Sequence, residues 1–219
     1  MAPPMPEDLT LRHIRDRVAA HHPRHDERGE KLRAAVAVVL RPGTDLLDAA
    51  TGHFLAAPEL LFIRRAERSG DPWSGHIAFP GGRVEPRDEH IRRAAERETV
   101  EEVGLVLEES DYVGRLDDLT GRSESVRVSA FCYVVERPTT LVLNHEVSDA
   151  FWVPIDRLVD SAHHLTVPHR YADEVYSFPA VRLLEGDAPV LWGMTYRFVE
   201  HFLGLLGREI PTMLWHSED

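Results

Sequence analysis

The positions of the apolar residues predict a protein in which strands surround one central helix. Apolar runs of strand length lie at residues 34–40, 60–63, 112–116, 126–135 and 151–155. Helical spacing of apolar residues marks 9–20 and 191–206, and the segment 174–183 alternates weakly, as a strand or hairpin does. Strands before and after a central helix, with a long helix near the end, predict the α/β (α+β) class with a mixed β-sheet between helices.

Composition divides the chain into an N-terminal part and one domain. Residues 1–33 hold a proline-rich start, the short helix and a charged linker, whereas residues 34–219 form the predicted domain with its C-terminal helix. The linker carries His21, His22 and His25. Because no cysteine or carboxylate framework accompanies these histidines, we interpret them as solvated side chains rather than metal ligands.

Two capping residues bound the central helix. The segment 79–105 reads FPGGRVEPRDEHIRRAAERETVEEVGL. Asp88 is a good N-cap because its side chain can accept from free N–H groups of the first turn, and Gly104 can adopt the left-handed conformation that ends a helix. A helical wheel at about 100° per residue places Val100 and Val103 on one side. The other side carries Ile91, Ala94, Ala95, Glu98, Glu101 and Glu102.

Three carboxylates on a partly apolar stripe indicate bound cations. A buried face does not tolerate unpaired carboxylates, and a solvated face does not require alanines beside them. In this interpretation Glu98 and Glu102, one turn apart, hold a divalent cation, and Glu101 binds a second cation or acts on the attacking water. Gly81 or Gly82 lets the backbone come close, because no Cβ intervenes. The alternative is a solvated acidic helix that pairs with its own arginines.

The segment resembles the signature box of the Nudix hydrolase family. That box has a Gly, five residues, a Glu, seven residues, and then Arg-Glu-apolar-x-Glu-Glu-x-Gly-apolar. Residues 97–105 fit its second half, with Thr99 in place of an aliphatic residue, and Glu89 precedes Arg97 at the required spacing. Six residues rather than five separate Gly82 from Glu89, an extension that resembles the coenzyme A pyrophosphatase branch of the family.

The resemblance implies an α/β/α sandwich of the Nudix type and a pyrophosphatase that uses Mg²⁺ or Mn²⁺. The metal ligands that it implies are Glu98, Glu101, Glu102 and, through its carbonyl, Gly81. It also implies that Arg97 holds the acids of the box in place, with Glu89 as the expected partner of this arginine. Glu101, Arg97 and Glu89 are therefore the expected catalytic residues.

A second motif lies upstream and also resembles the coenzyme A branch. The family pattern is Leu-Leu-Thr-x-Arg-Ser, followed later by Gly, three residues and Phe-Pro-Gly-Gly. Gly75 and residues 79–82 fit the last part, but Phe62 stands for the Thr and Arg65 for the Ser. The substrate contacts expected from this resemblance are Arg64, Arg65 and His76. The expected substrate is coenzyme A or a related ADP-containing compound.

Other features leave alternatives open. Glu146 precedes an apolar strand and is either an extra acid near the metals or an ordinary surface residue. The polar and aromatic segment 163–174 either contacts a base or pantetheine arm or is a plain loop. Within the family, the chain could instead hydrolyse ADP-ribose, a dinucleotide or a nucleotide sugar. A non-catalytic Nudix domain that binds a nucleotide is a further alternative.

Composition limits the partners and the location. A net charge of −12 argues against a nucleic-acid surface, while a small nucleotide substrate remains compatible with it. The sequence contains no run of 18 apolar residues, so no membrane span is predicted. Because the N-terminus lacks the apolar core of a signal peptide, we expect a cytoplasmic protein. Cys132 is predicted to be a packed core thiol. Val199 and Leu203 widen the apolar face of the terminal helix, which predicts burial on two sides or a homodimer.

Overall fold

The computed structural model describes residues 9–25, 32–43, 46–47, 54–55, 57–70, 73–121, 126–171 and 174–212. The helices are Leu11–Ala19 (α1), Ile91–Val103 (α2), Ile155–Val159 (α3) and Gly193–Leu205 (α4). The first strands are Leu32–Arg41 (β1), Leu46–Leu47 (β2), Phe54–Leu55 (β3), Glu59–Arg65 (β4), Ile77–Ala78 (β5) and Gly81–Arg83 (β6). The later strands are Tyr112–Arg115 (β7), Leu119–Thr120 (β8), Val126–Val134 (β9), Val147–Pro154 (β10), His164–Tyr171 (β11), Glu174–Val181 (β12) and Leu191–Trp192 (β13).

The main sheet is mixed, as predicted, and its central path runs β10-β4-β1-β9-β7. Strands β1 and β9 are parallel, with a register that extends from Leu32 opposite Val126 to Leu40 opposite Val134. The other pairings in this sheet are antiparallel. On its second edge, β1 pairs with β6 in its first half and with β4 at its end, so the chain around Gly81 is fixed to the centre of the sheet.

Helices cover both faces of this sheet, because its strands are apolar on both sides. One core contains α2 and alternate strand residues such as Leu61 and Ile63. The other core contains α1, α4 and the intervening residues, among them Leu60 and Phe62. The arrangement is an α/β/α sandwich. Cys132 is fully buried, as predicted, and burial raises the pKa of its thiol.

A second, three-stranded sheet is formed by β11, β12 and β13. The interpretation of residues 163–174 as a plain loop is wrong, because β11 pairs along its whole length with β12. The side chains of β11 are polar, so the sequence pattern did not indicate a strand. The strand forms because β12 supplies its backbone hydrogen-bond partners. Helix α4 begins at Gly193 rather than at 191, because Leu191 and Trp192 pair with β12.

Helix α2 differs from the prediction in its N-cap residue and in the burial of Val103. Its N-cap is His90, whose side chain accepts from the N–H of Arg93, so the Asp88 cap was wrong. Val103 is fully buried, although the wheel placed it opposite the carboxylates, and Val100 is exposed. Gly104 ends the helix with a φ of 68°, as predicted. Among the described residues, the helices are too short or too polar to cross a membrane.

Candidate active site

A backbone turn at Gly81 and Gly82 lies directly against the carboxylates of α2. Gly81 has a φ of 153°, and a Cβ there would lie 2.3 Å from the carbonyl oxygen of Ala35 in β1. Its N–H donates to Oε2 of Glu102 at 2.9 Å. A Cβ on Gly82 would lie 2.3 Å from Oε1 of Glu98. The backbone therefore requires glycine at position 81, whereas a Cβ at position 82 would displace the carboxylate of Glu98.

The three box acids occupy different depths. Glu102 is 2% exposed, whereas the side chains of Glu98 and Glu101 are 14% and 45% exposed. Glu98 is close enough to Glu101 and to Glu102 for their charges to interact, and the graded exposure places these acids at the edge of the helix contact with the sheet. Beside them, Thr99 is fully buried, and its hydroxyl donates to the carbonyl of Ala95 at 2.7 Å.

Burial makes the inner two carboxylates difficult to ionise. Burial raises the pKa of Glu102 to about 8, although the N–H of Gly81 and the charge of Arg65 act in the opposite direction. Burial also raises the pKa of Glu98, against the hydrogen bond from Arg97. The nearby charge of Glu146 raises both values further. Such a site gains stability when cations compensate its negative charge.

Arg97 links the turn to the acids, but its partner differs from the prediction. Its guanidinium donates to Asp88 at 3.1 and 3.2 Å and to Glu98 at 2.8 Å. It also reaches Glu101 at 3.2 Å. Glu89, the predicted partner, is exposed, and none of the ion pairs of Arg97 within the described chain involves it. The extra residue in the box brings Asp88, which five residues separate from Gly82, to the arginine.

Glu146 lies near the box, which favours the first of its two interpretations. It sits just before β10 and forms an ion pair with Arg68 at 3.0 Å. The backbone carbonyl of Glu146 accepts from the N–H of Ala66, which fixes this connection beside the end of β4. A fourth carboxylate therefore adds negative charge to the site from outside the signature box.

The three predicted substrate residues are not gathered at one point. Successive residues of a strand point to opposite faces, so Arg65 lies on the α2 face with Ile63, and Arg64 lies on the α4 face with Phe62. Arg65 is close enough to Glu102 for its charge to lower the pKa of that carboxyl. His76 lies apart from the acids, in an aromatic cluster with Trp73 and Trp192.

An apolar cavity adjoins the glycine turn on the α4 side of the sheet. Its volume is about 140 Å³, and Gly81 and Gly82 form part of its wall. The other lining residues are Ala34, Val36, Phe79, Val128, Met194, Thr195 and Phe198. The same two glycines thus contact the carboxylates and border the cavity. No local sequence pattern indicated this cavity, because its lining comes from distant strands and α4.

The donor set fits a hard divalent cation. Carboxylate oxygens of Glu98, Glu101 and Glu102 are the ligands that Mg²⁺ and Mn²⁺ prefer. Burial raises the pKa of Glu102 to about 8, and a bound cation would stabilise the ionised form of this carboxylate. Among the described residues, the oxygens of these three acids do not form a compact group of three ligands. Such a spread set of ligands suits an ion that keeps several waters.

A carboxylate-lined glycine turn on an α/β/α sandwich is the arrangement expected of a Nudix domain. Comparison with family models agrees, since residues 31–174 match the NUDIX domain. The chain therefore belongs to the NUDIX domain family, as the resemblance of the signature box indicated.

Two relatives are named as coenzyme A diphosphatases, and the sequence motifs resemble the coenzyme A branch of the family. The peroxisomal coenzyme A diphosphatase ndx-8 of Caenorhabditis elegans is 32% identical over 156 residues, which cover 68% of this chain and 62% of the relative. The human mitochondrial coenzyme A diphosphatase NUDT8 is 31% identical over 152 residues, which cover 68% of this chain and 63% of the relative. The chain spans less than two thirds of the length of each. The expected cytoplasmic location stays a prediction, as does the homodimer.

Two solved structures match part of the chain at low identity. A C. elegans Ap4A hydrolase complex is 22% identical with a TM-score of 0.42, over 58% of this chain and 83% of that one. The NUDIX domain of Shewanella oneidensis NrtR, crystallised with ADP ribose, is 17% identical with a TM-score of 0.45, over 65% of this chain and 84% of that one.

Proposed function

We propose that this chain is a divalent-metal-dependent hydrolase of the pyrophosphate bond in a nucleoside diphosphate derivative, with coenzyme A or a related ADP-containing compound as substrate. The observation that carries the proposal is the glycine turn, which contacts Glu98 and Glu102 on one side and borders an apolar cavity on the other. A pyrophosphate joined to an organic group needs both environments within a short distance.

Each residue of the box has a role in this proposal. Glu98, Glu101 and Glu102 would hold Mg²⁺ or Mn²⁺, with the carbonyl of Gly81 as a further ligand. Bound divalent cations supply neutralisation of the phosphate oxygens and a more acidic water. Glu101 is the most exposed of the three acids and accepts the proton of the attacking water. Arg97 fixes the positions of Glu98 and Glu101 through its hydrogen bonds.

The arginines at the end of β4 suggest how the substrate is oriented. Arg65 lies on the face of the acids and would contact the pyrophosphate. Arg64 lies on the opposite face with the cavity, and its side chain is 37% exposed, so it would contact the additional 3′-phosphate of coenzyme A. Arginine is suited to both tasks because its guanidinium binds phosphate oxygens in a fork.

A substrate panel tests the proposal. We expect kcat/KM to be highest for coenzyme A, lower for 3′-dephospho-coenzyme A, and lowest for ADP-ribose and a diadenosine polyphosphate, all measured with Mg²⁺ and with Mn²⁺. A higher value for either of the last two compounds would reject coenzyme A and assign the chain to a different pyrophosphate substrate. Failure to hydrolyse any of them with either metal would favour the non-catalytic nucleotide-binding domain.

The two arginines form a matched pair of variants. Arg64→Ala is expected to remove the preference for coenzyme A over its dephospho form while leaving the dephospho rate unchanged. Arg65→Ala is expected to lower the rates for both compounds in the same proportion. If Arg64→Ala retains the preference, Arg64 is a surface charge and the 3′-phosphate is recognised elsewhere.

A further inference from the structure

We propose that His21, Asp117 and His201 form a second metal site, for a divalent transition-metal ion such as Zn²⁺. One ligand atom from each of these residues lies within 4.8 Å of the other two. Nε2 of His21 is 2.8 Å from Oδ1 of Asp117, and the rings of His21 and His201 are 5.2 Å apart and nearly perpendicular. Two imidazoles and one carboxylate are a common ligand set for Zn²⁺.

Three separate parts of the fold supply these ligands. His21 follows α1, Asp117 lies between β7 and β8, and His201 is on α4. Bonds of about 2.1 Å to a tetrahedral ion place ligand atoms about 3.4 Å apart, so small side-chain rotations would complete the site. The fourth position would be taken by water. Because α1 and α4 pack on the sheet face opposite α2, this ion would be distinct from the cations at the signature box.

The surroundings of Asp117 resemble the outer shell of a metal site. Its carboxylate is almost completely buried. Nε of Arg24 donates to Oδ2 at 2.6 Å, which leaves Oδ1 directed towards His21. The backbone N–H of Arg24 also contacts Oδ1 at 2.9 Å. Ligating carboxylates are usually held by hydrogen bonds of this kind.

Burial and hydrogen bonding shift the pKa values of Asp117 and His201. Although burial raises the pKa of Asp117, hydrogen bonds from Arg24 and His21 bring it down to about 2. Burial lowers the pKa of His201. The exposed His22 beside His21 does not belong to this group and serves as a matched control.

Metal retention in the 219-residue chain tests the site. The chain is loaded with Zn²⁺ at micromolar concentration in excess Mg²⁺, which occupies the oxygen ligands of the box, then desalted and analysed for zinc. We expect one zinc per chain in the wild type and in His22→Ala. In His21→Ala and His201→Ala, zinc affinity is expected to fall by about tenfold or more. Co²⁺ in the same site is expected to give tetrahedral absorption bands in the wild type that both variants lose.

Two results would overturn the proposal. The first is a wild-type chain that retains no zinc under these conditions, which would leave the three residues as a hydrogen-bonded cluster only. The second is zinc that is lost from Glu98→Gln but kept in His21→Ala, which would place the ion at the signature box. If His201→Ala fails to fold, His21→Ala still decides the question, because His21 lies outside the helices and the sheet.

Discussion

The contact between Gly82 and Glu98 can be tested by adding a single methyl group. In Gly82→Ala the new Cβ would lie 2.3 Å from Oε1 and 2.4 Å from Cδ of Glu98. Ordinary contacts are about 3.4 Å or longer, so the carboxylate must move by about 1 Å. The main chain need not move, because the carboxylate is the end of a flexible side chain and Gly82 does not have a left-handed φ.

The expected consequence is a loss of activity without a loss of folding. A displacement of about 1 Å in a catalytic group can reduce the rate roughly 100-fold, which corresponds to about 2.7 kcal/mol of transition-state stabilisation. Stability should change by no more than about 1 kcal/mol, since the weakened ion pair between Glu98 and Arg97 is offset by the stiffer unfolded chain of an alanine variant.

Two other glycines provide the comparison. Gly81→Ala places a Cβ against the backbone of Ala35 at an unfavourable φ, so it should destabilise the fold by about 3 kcal/mol or more. Gly204→Ala, at an exposed and open position in α4, should be fully active and more stable by up to about 1 kcal/mol. The measurements are kcat/KM for pyrophosphate hydrolysis and urea unfolding. A folded Gly82→Ala enzyme with wild-type kcat/KM would refute the importance of this contact.

Three further predictions concern the box. Glu98→Gln and Glu102→Gln should each lower kcat roughly 100-fold or more at saturating metal, with an unchanged circular dichroism spectrum; normal kcat in both would show that the ligands lie elsewhere. Asp88→Asn should reduce kcat/KM about tenfold by weakening the charged hydrogen bonds to Arg97, whereas Glu89→Gln should change it less than about twofold; the reverse order would restore Glu89 as the partner. Excess chelator should abolish turnover and added Mg²⁺ should restore it, and full turnover in chelator would contradict metal dependence.

The sequence predicted the structure correctly where periodicity and local chemistry agree. The central strands, the end of α2 at Gly104 and the shared edge of the three carboxylates all follow from short-range pattern. The pattern failed where tertiary contacts decide. Strand β11 is polar and is held by β12, and Val103 is buried because the helix contact is broader than the wheel stripe suggested.

Long-range partners were beyond the reach of the sequence. Spacing alone assigned Glu89 to Arg97, whereas the extra residue in the loop turns Asp88 towards the guanidinium instead. His21 looked solvated because its carboxylate neighbour, Asp117, is 96 residues away in the chain. The pair of His21 and Asp117 depends on how the N-terminal segment packs against the sheet, which no local pattern records.

The position of the glycine turn between acids and cavity has a consequence for how new specificities arise. In the proposed function, bond cleavage depends on α2, while the cavity wall is supplied largely by the sheet and by Met194, Thr195 and Phe198 of α4. Substitutions on α4 can therefore alter the shape offered to the organic group without touching a carboxylate. Gene duplicates of such a protein could diverge in substrate range through one helix while inheriting the same hydrolytic chemistry. Directed evolution of substrate choice would have its natural starting positions at Met194 and Thr195.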